Sequence, residues 1–125
     1  MKRGAKWIAG VCLGMLAHIG TAAAGEADIV DVRVTPEPGG TFRFDVTVRH
    51  TDEGWKHYAD GWEILGPSAI RLGYRKLWHP HVEEQPFVRS LSGVRIPASV
   101  TRVKIRAHDN VHGYGGREIV VVVPR

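Results

Sequence analysis

Strict alternation of apolar and polar residues is the feature of this sequence that most restricts its fold. Phe42 to Arg49 reads FRFDVTVR and Val100 to Ala107 reads VTRVKIRA, and apolar side chains recur at every second position from Phe42 to Val48 and from Val103 to Ala107. A two-residue period is that of a β-strand with one buried face and one wet face. The run from Glu118 to Val123 is rich in β-branched residues, which also favours a strand.

Four further segments are predicted strands: Asp28 to Val34, Trp55 to Leu65, Ile70 to Trp78 and Phe87 to Ile96. Turn-forming residues separate the strands, as in Pro36-Glu37-Pro38-Gly39-Gly40. After residue 24 no segment carries the 3.6-residue apolar stripe of a helix. Seven short strands in about one hundred residues indicate a single all-β sandwich.

The first 24 residues have the pattern of a secretory signal peptide. Lys2, Arg3 and Lys6 precede an apolar run from Trp7 to Ile19, and an A-x-A site ends at Ala24. We therefore predict a signal peptide at 1–24 and a mature domain at 25–125 that begins at Gly25 or Glu26. The apolar run is shorter than the roughly 20 residues that span a bilayer, so we expect a periplasmic or secreted protein without a stable membrane anchor.

The cysteine content and the net charge restrict the modifications and the partners expected for the mature chain. Cys12 is the only cysteine, and Val11 stands before it where a lipoprotein signal needs a small residue, so we do not expect acylation. Of 17 Lys and Arg residues three precede Gly25, which leaves 14 against 13 Asp and Glu. A nearly neutral mature chain predicts no nucleic-acid partner, because such a partner requires a basic patch.

The carboxyl-terminal stretch "VTRVKIRAHDNVHGYGGREIVVVVP" resembles the last hairpin of immunoglobulin-like and fibronectin type III-like domains. Trp62 falls on the third predicted strand, where such domains often bury a tryptophan. The resemblance implies a seven-stranded immunoglobulin-like β-sandwich over 25–125. The chain also resembles a group of small exported bacterial proteins with similar "HPHVxEQPFxRSLSGV" and "HDxVHGYGG" stretches, a group that implies no activity.

The implied topology would gather six histidines at one tip of the sandwich, since the second, fourth and sixth predicted strands end there. Imidazoles with a carboxylate bind zinc or copper, and Glu83, Glu84, Asp52 and Asp109 offer oxygen atoms nearby. We expect a copper(II) or zinc(II) site. Its predicted ligands are His79, His81, His108 and His112, with His57 as the substitute for any one of them.

A structural interpretation of the same residues stands beside this one. His50 continues the inward parity of Phe42 to Val48 and is then a buried, hydrogen-bonded ring. His108 continues the outward parity of its strand and is then solvated. Asp109, Asn110 and Gly113 are common turn formers that require no ligand.

We predict an exported protein that binds or carries a divalent transition metal and is not an enzyme. The alternative is an interaction module, in which the same loops bind a glycan or an exported partner protein without a metal. Trp55, Tyr58, Trp62, Tyr74 and Trp78 would form a stacking platform if several face outward. A hydrolytic zinc centre is the third possibility, but no general base is evident.

Overall fold

The computed structural model describes residues 25–125, so the predicted signal peptide, with Cys12, lies outside the described residues. Eight strands form this part of the chain: β1 (Asp28–Pro36), β2 (Thr41–Arg49), β3 (Ala59–Leu65), β4 (Arg71–Lys76), β5 (Phe87–Arg95), β6 (Arg102–Asp109), β7 (Gly113–Tyr114) and β8 (Ile119–Val122). A single 3-10 turn at Pro67–Ala69 joins β3 to β4. No helix in the described range is long and apolar enough to cross a bilayer.

The all-β class predicted by the alternation is confirmed. Each of the seven predicted strands has a counterpart, but the count of seven is not confirmed, because the two residues of β7 pair with the end of β6. The predicted third strand also begins later than expected, at Ala59 instead of Trp55. The four residues in between fold into a turn.

Two antiparallel sheets face each other. One has the order β1-β2-β5, and the other has the order β4-β3-β6, with β7 and β8 both paired to the remaining edge of β6. The inward side chains of both sheets form one core, as the alternation requires. Its largest fully buried members are Trp62, Phe44, Phe87, Ile29, Ile64, Leu77 and Ile105.

Polar residues continue this buried parity at one end of the sheets. In β2 the buried positions Phe42 to Val48 lead to His50, the first residue after the strand, which is 3% exposed. In β6 the buried positions Val103 to Ala107 lead to Asp109, which is fully buried and pairs with Ala59 at the start of β3. The end of the core is therefore polar.

A charged group also occupies the outer face of the larger sheet. Glu63 of β3 is 2% exposed, and its two carboxylate oxygens accept hydrogen bonds from Arg71 Nε at 2.8 Å and Arg106 Nε at 2.5 Å. Burial alone would raise the pKa of Glu63, but these two guanidinium groups hold it below its ordinary value of 4.5.

We expect Glu63→Gln to reduce the free energy of unfolding at neutral pH by about 2 kcal/mol, because charged hydrogen bonds are lost at a buried site. A carboxylate with a lowered pKa stabilises the fold above its unfolded pKa, and this contribution disappears as the pH falls through the folded value. The difference between variant and parent should therefore shrink below pH 4.5. Urea denaturation across a pH series measures it.

Glu118→Gln is the matched control, since Glu118 forms a partly exposed ion pair with Lys104 on the same sheet. Its effect should stay within about 0.5 kcal/mol at every pH. A constant difference between Glu63→Gln and the parent from neutral to acid pH would contradict the assigned role of Glu63.

Candidate metal centre

The loop between β2 and β3 folds back onto the polar end of the core. The backbone N–H of Glu53 donates to the carbonyl of His57 at 2.8 Å. Gly54 has a φ of 91°, a left-handed backbone conformation that glycine adopts readily and residues with a Cβ atom rarely adopt. This turn returns the chain so that the His57 ring lies against His50, with 4.7 Å between the ring centroids. The late start of β3 is thus what places His57 at the site.

Within residues 25–125, one group of three metal-binding side chains has its ligand atoms within 4.8 Å of one another: His50, His57 and Asp109. The two Nε2 atoms are 3.2 Å apart. His50 Nε2 lies 3.5 Å from Asp109 Oδ2, and His57 Nε2 lies 3.6 Å from Asp109 Oδ1. A tetrahedral ion with bonds of about 2.0 to 2.1 Å separates its ligand atoms by about 3.3 Å, so these spacings suit a small transition-metal ion.

A second carboxylate orients each ring of the pair. His50 Nδ1 lies 2.6 Å from Asp52 Oδ1, and His57 Nδ1 lies 3.0 Å from Glu53 Oε1. An ionised carboxylate only accepts hydrogen bonds, so each Nδ1 atom donates its proton, and in the neutral form of each ring the Nε2 atom carries a lone pair. Carboxylate–histidine pairs of this kind orient the ligands of metal sites.

Without a cation between them, the two Nε2 lone pairs and the Asp109 carboxylate would repel one another. Burial alone would lower the pKa of His50, but the hydrogen bond and charge of Asp52, together with the charge of Asp109, raise it. The site thus favours positive charge, which a proton or a metal ion can supply.

Asp52 anchors the site to the fold. It is buried, and besides His50 it accepts backbone N–H groups of Ala59 at 3.1 Å and His81 at 2.6 Å. Burial alone would raise the pKa of Asp52, but the hydrogen bonds from His50, His81 and Ala59 hold it below its usual range. One carboxylate therefore joins the loops before β3 and after β4.

Asp109 both faces the histidines and closes the β6–β7 turn. Its Oδ1 atom accepts the backbone N–H groups of Val111 at 2.8 Å and His112 at 2.6 Å. Burial alone would raise its pKa, but these backbone donors and the neighbouring His50 and His112 lower it, so the carboxylate is ionised. The turn-former interpretation and the ligand interpretation therefore apply to the same residue.

Two of the five predicted ligands lie at this cluster. His57 belongs to it, and His112 borders it, since its Nδ1 atom is 3.3 Å from Asp109 Oδ2 and its ring centroid is 4.9 Å from that of His57. His57 and His112 have side chains that are 12% and 36% exposed, whereas those of His50 and Asp109 are 1% and 0% exposed. An ion would therefore enter past His57 and His112.

The other three predicted ligands lie elsewhere. His79 and His81 do lie together, at 4.7 Å between ring centroids, but His81 Nε2 accepts from Arg89 Nη2 at 3.0 Å and the ring stacks on Phe87. Burial, the charge of Arg89 and the neighbouring His79 lower the pKa of His81, so this ring is neutral. The Arg89 cation disfavours a metal ion here.

His108 faces the outer side of β6, as its parity predicts. Its Nδ1 atom lies 2.5 Å from Asp60 Oδ1, and its ring meets Tyr114 edge-on.

Among the aromatic residues of the proposed platform, Trp62 is fully buried, whereas Trp55 and Trp78 are 65% and 70% exposed.

The sequence interpretation did not include His50 as a ligand, although one signal marks it. His50 and Asp109 each stand on the apolar parity of a strand, at its end. Two polar residues that continue two buried faces must meet other buried polar groups.

Comparisons with known proteins give one relative and one structural neighbour. No family model matches the chain. A protein of Halomicrobium mukohataei named "Putative lipoprotein" is 42% identical over 96 residues, which are 77% of this chain and 47% of the relative. The chain thus spans about half the length of this relative.

The structural neighbour is a superoxide reductase (1Fe-SOR) from Giardia intestinalis. It aligns with a TM-score of 0.46 at 18% identity, over 77% of this chain and 99% of that chain. A likeness of this size is too low to indicate a shared function.

We predict that Asp52→Asn destabilises the protein by about 2 to 4 kcal/mol, because a buried acceptor of three donors loses its charge and half of its acceptor atoms. Glu53→Gln is the control, since Glu53 bonds the other ring but is exposed, and its effect should be below about 1 kcal/mol. Guanidinium denaturation of the metal-free protein measures both. Equal effects would show that Asp52 does not anchor the site.

Proposed function

We propose that this chain is an exported protein that binds one divalent transition-metal ion at His50, His57 and Asp109. The observation that carries the proposal is the pair of Nε2 atoms 3.2 Å apart, each made a lone-pair donor by a carboxylate on its far side. Two imidazoles and a carboxylate suit copper(II) and zinc(II), the ions that we propose. With three carboxylates around the two rings, the site favours a dication over a monovalent ion.

Burial supports a binding or carrier role in preference to catalysis. The side chains of His50 and Asp109 are almost completely enclosed, which leaves a substrate little access to an ion bound between them. His112, beside Asp109, is a candidate for a fourth ligand. We therefore propose a binding protein and not an enzyme.

Export and fold assignment are part of the same proposal. The leader-like residues 1–24 support a periplasmic or secreted location, and the name of the relative also fits an exported protein. A lipid anchor on this chain would require Cys12, its only cysteine. The division of the strands into β1-β2-β5 and β4-β3-β6-β8 supports the immunoglobulin-like or fibronectin type III-like topology.

A metal titration tests the proposed ligands. Calorimetry of the metal-free protein with zinc(II) and copper(II) should show one binding site. Loss of a residue that only orients a ligand lowers metal affinity by about 10- to 100-fold, so His57→Ala, which removes a ligand, should lower the affinity by more than this. His79→Ala is the matched control, because the exposed His79 ring bonds only to the carbonyl of Pro80 in the described structure. It should leave the affinity unchanged.

The same samples report on stability. An ion that binds only the folded state at 100 times its Kd adds about 2.7 kcal/mol to the free energy of unfolding. His57→Ala should lose this gain and His79→Ala should keep it. Binding that depends on His79 and not on His57 would place the metal at the other histidine pair.

A metal-free interaction module is the second candidate, favoured by two exposed tryptophans. Trp55 lies in the same turn as His57, and Trp78 follows β4 beneath the ammonium group of Lys76. Exposed indole rings can stack on sugars or pack against a partner protein. Loss of ligand capture in a Trp55→Ala and Trp78→Ala variant, together with no metal binding by the parent, would favour this candidate.

A further inference from the structure

Two arginine side chains from different strands meet above β3 on the outer face of the larger sheet. Glu63 of β3 pairs with Arg106 of β6 on one side and with Tyr74 of β4 on the other. Arg71, at the start of β4, and Arg106 each donate from Nε to one oxygen of the Glu63 carboxylate, at 2.8 and 2.5 Å. One carboxylate thus holds both guanidinium groups of this arginine pair over the same strand.

Each guanidinium group also lies over a tyrosine ring. The Cζ atom of Arg71 is 4.5 Å from the centre of the Tyr74 ring, and the Cζ atom of Arg106 is 4.0 Å from the centre of the Tyr114 ring. Contacts between a planar cation and an aromatic face are attractive and restrict the orientation of the cation. The arginine pair is therefore held by charge from one side and by rings from another.

Gly61 leaves the space in which the Tyr74 ring lies. A Cβ atom at position 61 would be 2.3 Å from the Tyr74 hydroxyl oxygen, much closer than the roughly 3.5 to 4.0 Å of a favourable contact. Any side chain at this position would push the ring aside, and with it the surface on which Arg71 rests. The orientation of the arginine pair thus depends on a glycine that carries no charge.

The charges of the arginine pair are only half compensated. Glu63 supplies one negative charge against two positive charges and is 2% exposed. Two other carboxylates of this sheet bind elsewhere, since Asp60 bonds to His108 and Glu118 to Lys104. Among residues 25–125, the arginine pair therefore has Glu63 as its carboxylate partner and keeps a net positive charge.

Both arginines have an edge that Glu63 does not use. The hydrogen bonds to Glu63 come from the Nε atoms, so the edge formed by the two Nη atoms is left for another acceptor. The side chains of Arg71 and Arg106 are 52% and 31% exposed, so a ligand in solution can reach them. A guanidinium edge binds two oxygen atoms of an anion at once.

We propose that Arg71 and Arg106 form a binding site for a tetrahedral oxyanion, phosphate or sulfate, on the outer face of the larger sheet. A single carboxylate has two oxygens and can occupy one guanidinium edge, whereas phosphate and sulfate have four oxygens and can engage both edges. Glu63 and the two tyrosines are positioning residues that hold the edges ready. The site shares no residue with the candidate metal centre and does not depend on it.

Nuclear magnetic resonance of the processed, metal-free protein tests this site. The ¹⁵N–¹H signals of the arginine side chains are followed while sodium phosphate or sodium sulfate replaces sodium chloride at constant ionic strength. We expect the signals of Arg71 and Arg106 to shift and to saturate. Sodium acetate should bind about tenfold more weakly than phosphate, because it can fill one edge only.

Lysine variants separate the guanidinium edges from charge alone. Arg71→Lys and Arg106→Lys keep the charge next to Glu63 but remove the planar edge, so each should weaken phosphate binding by about tenfold. Arg102→Lys is the matched control, since Arg102 is exposed on the same strand and has the same parity as Arg106. It should leave the affinity unchanged.

Gly61→Ala tests positioning without a change of charge. The added methyl group displaces Tyr74, so Arg71 loses its support and phosphate binding should weaken. Far-ultraviolet circular dichroism verifies that this variant folds, and the lysine variants test the site independently if it does not.

Three results would overturn the proposal. The first is shifts at Arg71 and Arg106 that do not saturate with phosphate or sulfate. The second is an equal loss of affinity in Arg102→Lys and Arg106→Lys, because the overall charge of the sheet would then attract the anion. The third is parent affinity in the folded Gly61→Ala variant, because binding would then not require the ordered arginine pair.

Discussion

The hydrogen bonds of the Asp52 carboxylate are the interaction on which the polar end of this protein depends. A single buried side chain accepts from the His50 ring and from the backbone of Ala59 and His81. It therefore fixes the start of β3, the segment after β4 and the orientation of one proposed ligand at once. A buried carboxylate is costly unless it is fully paired, and this one has a donor from each of three segments.

The site follows from the way the sandwich-like core ends. Apolar side chains fill the space between the sheets, but at this end the inward positions of β2 and β6 pass to His50 and Asp109. Buried polar groups need hydrogen-bond partners, and here carboxylates and imidazoles provide them for one another. Glu53 bonds His57, and His57 in turn lies beside Asp109. The same arrangement that satisfies hydrogen bonds also aims lone pairs at one point, which is the requirement of a metal site.

Charge separates this cluster from the neighbouring histidine pair. Asp109, Asp52 and Glu53 surround His50 and His57 with negative charge, whereas Arg89 bonds directly to His81. Asp52 connects the two histidine pairs, because its carboxylate bonds the ring of His50 and also accepts the backbone N–H of His81. Both pairs therefore lie at the same end of the fold. Opposite local charge nevertheless suits only the first set to a cation.

The sequence by itself determined the strands and the buried faces, because a two-residue period depends only on local geometry and on which side chains avoid water. The parity of β2 also indicated that His50 faces inward, whereas the expected gathering of histidines at one tip depended on the topology that the resemblance implied. Only the tertiary structure decided which rings converge. The turn at Gly54 places the ring of His57 against that of His50. Asp109 pairs with Ala59, and Arg89 donates a hydrogen bond to His81. These are contacts between segments far apart in the chain, and periodicity within one segment carries no information about the distance to another.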